Sequence, residues 1–473
     1  MITISDIFEA LTNSRPGGIN LAITDAAIDS RQVIPGSIFV ALPGENVDGH
    51  NFIGDAFKNG ALLSLIQSSV SSDFNVIDLQ QSTNLNIKNI PEPPFCILVE
   101  NTLEALQKIA SFWRKKLDIK VVGITGSVGK STTKEIISGV LSQHYHTIKN
   151  PGNLNNEIGL PMTILRIGEG HQIAVLEMGF YVPGEIKLLC DIANPEIGVV
   201  TNIGSVHAER AGSRDIIARG KAELLEALPE KPNGYAVLNY DDPLVRDMHK
   251  YTKAQVIYYG LDPRADIWAD EIESKGLEGI RFTFHYEDEV LNVRVPLIGR
   301  HSVHTALRAA AVGLAMGLTW EEIILGLQRS HTQLRMAAIH SDNGALIIDD
   351  SYNASPQSTL AALTLLDELD GYKIAVLGDM LELGQYEYEG HHKVGVRASE
   401  ICEELYLVGD LMKIAKKAAI SNGMPESQIY TFENALKAAD FLKTRIKMED
   451  VILVKGSNSL HMDRIVNALE AEE

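Results

Sequence analysis

Apolar runs and polar punctuation alternate along this chain, and the spacing of the apolar positions changes from segment to segment. Early on, Asp29-Ser30-Arg31 leads to the turn pair Pro35-Gly36 and then to SIFVAL, which reads as a strand. Asp48-Gly49-His50-Asn51-Phe52 precedes a helical pattern through Ala56 and Phe57. Serine- and asparagine-rich sequence near 68–88, followed by Pro91, Pro93 and Pro94, reads as a loop closing the unit. Between 101 and 117 the period is that of a helix, with Leu103, Leu106, Ala110, Trp113 and Leu117 on one face and Asn101 and Glu104 as a cap pair.

Beyond this point apolar runs and helical patterns alternate. Val121, Val122 and Ile124 form a short buried strand, and Ile136, Ile137, Val140 and Leu141 mark the helix after it. QIAVLEM (172–178), IGVVTNIG, YAVLNYDD (235–242) and QVIYYG (255–260) read as further strands, with a helix over 214–228. Residues 266–297 change to period two, which predicts an antiparallel meander on the main sheet, and a helix spans 303–316. From 330 onward GALIIDD, KIAVLGD, ELYLVGD, QIYTF and DVILVKG alternate with helices, the pattern of a doubly wound domain. The expected fold is α/β with three domains: 1–98, a central P-loop parallel sheet with an antiparallel addition over 99–329, and a C-terminal Rossmann-like domain over 330–473.

Composition narrows the partners. A net charge of −20 argues against a nucleic-acid or anionic-membrane binder, so an anionic ligand must be held by local clusters. Cys96, Cys190 and Cys402 are far apart with no metal-type spacing, which fits a reducing compartment. The first residues lack a signal-peptide pattern, and no apolar run reaches membrane-spanning length. A cytoplasmic chain without membrane insertion is expected.

The chemistry centres on KVVGITGSVGKSTT (120–133). A strand, a glycine loop and a helix start aim backbone N–H groups and the positive helix end at one point, which suits phosphate oxygens. Lys130 adds a cation for the outer phosphates and the Ser131 hydroxyl can hold Mg²⁺. The common P-loop spacing has a glycine where Ile124 stands, so this loop is a variant. Glu177 ends a strand on the same sheet edge and can share that Mg²⁺. Asn202 ends the next strand there, and His207 follows it. Lys221 shares an apolar helix face with Ile217, Leu224 and Leu228, where a lysine either snorkels or has a function. Asp349, Asp350, Asn353, Asp379 and Lys455 lie at strand ends of the last unit. Arg31 and His50 are candidates for contacting a nucleotide-sugar.

TGSVGKSTTKE, GNLNNEIGLP, LEMG, NIGSVH, RGKAEL, LNYDD, DDSYNASP, VLGDMLELG and LVKGS occur in this order. On these motifs the chain resembles the Mur ligases of peptidoglycan synthesis over nearly its whole length. The resemblance implies an ATP-driven amide ligase working through an acyl phosphate. It implies UDP binding by the first domain through Ser30, Arg31, Asp48 and His50, and ATP binding through Thr125, Gly126, Ser127, Gly129, Lys130, Ser131, Thr132, Arg335 and Asp350. Two Mg²⁺ ions are implied, held by Ser131, Glu177, His207 and a carbamate formed from CO₂ on Lys221, with Lys130, His207 and Lys221 as the catalytic set. Asn153, Asn155, Asn156, Tyr352, Asn353 and Lys455 would contact substrate. DDSYNASP and GDMLELG favour the member that adds D-alanyl-D-alanine to UDP-N-acetylmuramoyl-tripeptide. The member adding the third, diamino residue carries an Asn-Pro-Arg signature not found here, and a P-loop switch or binding module needs no nucleotide-sugar domain. A monomer is expected. Ser302 and Thr305 replace the asparagines of the family's adenine motif, and Asn458 stands where an arginine is usual near Lys455. Without ligand, Asp350 and Arg335 are expected to stand far from Lys130.

Overall fold

The structure, a computed structural model, describes residues 1–17, 21–44, 47–80, 90–206, 208–329 and 337–470. These residues form three sheets. The first is parallel throughout, in the order Ala26–Ala27, Ile38–Val40, Leu63–Ile66, Phe95–Leu98, Val76–Asp78. The helix Ile4–Thr12 packs beside it. Its start is fixed by a capping box in which Thr3 and Asp6 exchange backbone and side-chain bonds.

The central sheet has Lys120–Thr125 near one end of its parallel part, between Ile173–Glu177 and Ile197–Val200. Tyr235–Asn239 and Gln255–Gly260 continue it in parallel. Ile267–Ser274 joins Gln255–Gly260 in parallel, and Ile280–Tyr286 and Glu289–Val295 then run antiparallel, as the period-two pattern predicts. Val122, Ile124, Ile136, Ile137, Val140 and Leu141 are wholly buried against the helix Val303–Ala315. Each such side chain contributes about 1.5–3 kcal/mol of apolar burial. That packing holds the helix Lys130–Leu141 rigidly behind the glycine loop.

The last sheet runs Ala337–His340, Leu346–Asp350, Asp450–Lys455, Tyr372–Gly378, Glu404–Val408, Ile429–Phe432. All its pairs are parallel except the first, an edge strand that the alternation of runs and helices did not announce. Helices cover both faces, so the strands are buried and read as unbroken apolar runs.

Among the described residues no helix is long and apolar enough to cross a membrane. The three cysteines are free and buried, and burial pushes the thiols of Cys96 and Cys402 up to about 12.

Candidate functional site

Lys120–Thr125 has one parallel neighbour on each side, and a crevice opens beyond its carboxyl end. The chain turns there through Gly126 at φ +144° and Gly129 at φ +82°. A Cβ on Gly126 would lie 1.8 Å from Thr201 Oγ1, so no side chain fits at that position. Thr201 Oγ1 and Asn202 Nδ2 both donate to Val128 O, at 2.8 and 3.0 Å. Asn202 Oδ1 accepts from Val128 N at 3.0 Å. The end of Ile197–Val200 therefore clamps the loop in place.

The loop residues Ser127 to Thr132 line a cavity of about 420 Å³. Glu177, Asn202, His301, Ser302, Thr305 and Arg308 add further wall, and Asp350, Tyr352, Asn353 and Lys455 close it from the last domain. The expected separation of Asp350 from Lys130 is thus not found. Glu209 N donates to Glu382 O at 3.2 Å and Gln385 Nε2 to Gly212 O at 3.1 Å, with Arg214 stacked on Tyr386, and these contacts hold the cleft shut.

Within the cavity Ser131 Oγ donates to Glu177 Oε2 at 2.7 Å, and Asn155 Nδ2 donates to Glu177 Oε1 at 2.8 Å. Glu177 is fully buried. A hydroxyl and a carboxylate beside a phosphate loop are hard oxygen donors of the kind Mg²⁺ takes, its other positions going to water and phosphate. Lys134, one helical turn beyond Lys130, balances the charge at 3.7 Å from Glu177 Oε2. Its ammonium donates to the carbonyls of Asn150 (2.8 Å) and Gly152 (2.9 Å), tying the asparagine loop to the metal-type pair. Sequence reading missed Lys134, because next to Glu135 it looks like a solvated helix residue.

Lys130 Nζ donates to Gly126 O at 2.9 Å, and Lys221 Nζ reaches the same oxygen at 3.1 Å from the far side of the loop. Lys221 does not snorkel. It is 1% exposed, 4.6 Å from the centroid of the Phe180 ring, and burial followed by the charge of Lys130 drives its pKa well down. Both effects shift the group toward its neutral amine form.

Several expected contacts fall elsewhere. The Thr125 hydroxyl is buried and donates to Met178 O at 3.2 Å, and neither Thr125 nor Gly126 lines the cavity; both belong to the scaffold of the loop. Asn156 Oδ1 accepts from Gly159 N at 2.9 Å and so starts the helix Gly159–Leu165. Asn153 is exposed. His50 Nε2 accepts from Gln67 N at 3.0 Å, which puts its proton on Nδ1, bonded to Asp48 Oδ1 at 2.6 Å. Both ring nitrogens are thus bonded inside the protein. Arg31 is exposed and paired with Asp29, while Ser30 is buried at the start of its turn. Lys455 Nζ bonds Asp350 Oδ2 at 2.6 Å and Asn353 O at 2.8 Å. His207 and Arg335 lie outside the described residues. Among the described residues no cluster of three His, Cys, Asp or Glu side chains could cage a metal.

A phosphate loop on a central parallel sheet, roofed by a second α/β domain, is the arrangement of an enzyme that activates a substrate with a nucleotide. Three family models match: "Mur ligase family, catalytic domain" over 23–114, "Mur ligase middle domain" over 124–313, and "Mur ligase, glutamate ligase domain" over 334–458. The chain belongs to the Mur ligase family. It is 34% identical over 473 residues to the UDP-N-acetylmuramoyl-tripeptide--D-alanyl-D-alanine ligase of Bacillus subtilis (strain 168), covering 99% of this chain and 98% of that one. Among solved structures, MurF from Acinetobacter baumannii superposes with a TM-score of 0.83 at 29% identity, covering 99% of this chain and 98% of that one. MurF ligase from Thermotoga maritima in complex with ADP gives 0.78 at 29% identity, covering 98% of each.

Proposed function

We propose that this chain uses ATP to join D-alanyl-D-alanine to UDP-N-acetylmuramoyl-tripeptide, releasing ADP and phosphate. The observation that carries the reading is the cavity in which Lys130, Ser131 and Glu177 face Asp350 and Lys455 across the cleft. A peptide carboxylate is a poor acyl donor, so the γ-phosphoryl group passes to it first. The loop amides and Lys130 hold the phosphates in line, and the closed cleft excludes water that would hydrolyse the acyl phosphate. Ser131 and Glu177 would hold Mg²⁺, which when bound supplies charge neutralisation. The amine of the dipeptide then attacks the acyl carbon and phosphate leaves.

Further assignments rest on this reading. Asp350 contacts the ribose, Tyr352 and Asn353 the incoming dipeptide, and Ser30 and Arg31 the UDP end. Lys221 carries a carbamate: its neutral amine forms an N–C bond to CO₂ and releases one proton to water, giving an anion able to bind a hard cation, and burial favours the neutral amine. His207 and Arg335 complete the metal and phosphate contacts. The chain acts as a cytoplasmic monomer with domains dividing near 98 and 329.

The test is a mixing experiment. Phosphate release from ATP should require UDP-N-acetylmuramoyl-tripeptide and D-alanyl-D-alanine together. Release with either one alone, or none with both, refutes the reading.

A further inference from the structure

Arg308 is a charged residue of the cavity to which the proposed chemistry gives no task. It stands in the helix Val303–Ala315, otherwise rich in alanine, and is 5% exposed. Its Nε donates to His304 O at 2.9 Å and its Nη1 to Thr133 Oγ1 at 2.9 Å. The guanidinium lies 5.3 Å from the centroid of the Tyr259 ring, whose hydroxyl donates to Thr201 O at 3.2 Å. These contacts fix the plane of the group. Nη2 has no hydrogen-bond partner among the described residues, yet it is not sealed in, since the only buried side-chain polar atom without a partner among them is Arg214 Nε. Arg308 lines the cavity, so its open edge is presented there.

Its position says which part of a ligand it meets. Ser131 points to Glu177, whereas Thr133, two residues on, points to Arg308. Two helical steps turn a side chain through roughly 200°, so the carboxylate and the guanidinium flank the helix start from opposite sides. The side of Glu177 faces the asparagine loop, where the reading above puts the metal and the transferred phosphate. The side of Arg308 faces His304, itself bonded to Asp241 at 2.7 Å, and the turn Arg300–Ser302. Nη1 is 3.7 Å from where a Cβ on Gly129 would stand, so the cation lies against the loop itself.

We infer that Arg308 binds the phosphates that stay with the nucleotide, the ones common to ATP and ADP, rather than the phosphate that is transferred. This rests on the nucleotide reading of the cavity above. A planar cation held on two donors and open on a third suits phosphate oxygen, and a charge-assisted bond of this kind outweighs a neutral one. An arginine that only braced the two helices would touch no ligand.

Calorimetry with ADP, AMP and adenosine separates these cases. In the wild type ADP should bind, and failure to bind would sink the nucleotide reading itself. Arg308→Gln can still bond Thr133 but lacks the charge, and Arg308→Met lacks both. Each should weaken ADP about ten- to a hundred-fold and adenosine less than about threefold. The salt dependence of ADP binding should also become shallower in both. If wild type binds ADP and Arg308→Gln binds it equally well, or if adenosine weakens as much as ADP, Arg308 is a brace and the inference is overturned. Should Arg308→Met not fold, Arg308→Gln decides alone, with its fold checked by circular dichroism and melting.

Discussion

Gly126→Ala puts a methyl group where the loop passes Thr201, and the damage can be divided between two causes. One is the backbone: φ of +144° costs an L-residue about 1–3 kcal/mol. The other is collision, with Thr201 Oγ1 1.8 Å and Thr201 N 3.0 Å from the new Cβ, an overpacking worth about 1–3 kcal/mol more. Thr201→Ala alone removes one bond to Val128 O, about 1 kcal/mol, and Asn202 Nδ2 still satisfies that oxygen. In the double variant the hydroxyl is gone, while the backbone strain, the residue-201 Cβ at 2.9 Å and the amide at 3.0 Å remain. A coupling of about 1–2 kcal/mol in unfolding free energy is therefore expected. Denaturant unfolding and melting curves of the four proteins measure it. Strict additivity of the two substitutions would show that the clash with Thr201 is not what excludes a side chain at Gly126.

Lys221→Arg keeps a cation but cannot form a carbamate, so turnover should fall by at least about a hundredfold, the scale of losing one charge-stabilising group. Lys221→Ala should be similarly slow and partly restored by added formate or acetate; wild-type rates from Lys221→Arg would rule the carbamate out. At the other end of the chain, burial alone would raise the Asp6 carboxyl, but bonds from Thr3, Arg15 and Lys116 hold it well below the usual range. Its folded pKa is depressed, so its stabilisation is fully present above the unfolded value near 3.8 and is lost progressively as pH falls from there through the lower folded value. Asp6→Asn should lower the melting temperature most at pH 7 and by a smaller amount at pH 2.5, and an equal loss at both pH values would contradict this linkage.

The parts of the site that could be read from residue order are those where one local cause suffices. A buried β-branched strand, two glycines and Lys-Ser at a helix start can hardly fold otherwise, and Glu177 follows from ending an apolar run on the same edge. Lys134, Arg308 and Thr201 were not legible, because each acquires its role from a segment far away: the loop at 150–152, the helix at 130–141, the turn at Gly126. His50 shows the same limit. Nothing in its spacing from Arg31 announces that Gln67, seventeen residues on, donates its amide to the ring. In the last domain the edge strand Ala337–His340 is four residues with little β-branching, too short for period two to show.

Among the described residues, the bonds that close the cleft include Glu209 to Glu382, Gln385 to Gly212, Arg214 to Tyr386 and Ser274 to Glu368, all between exposed or half-buried residues. Each exchanges with water on opening and is worth about 0.5–1.5 kcal/mol net. Such a latch is weak beside the grip a cavity of charged walls exerts on a nucleotide. The protein alone therefore sets only a loose preference for the shut state, and occupancy sets how long it lasts.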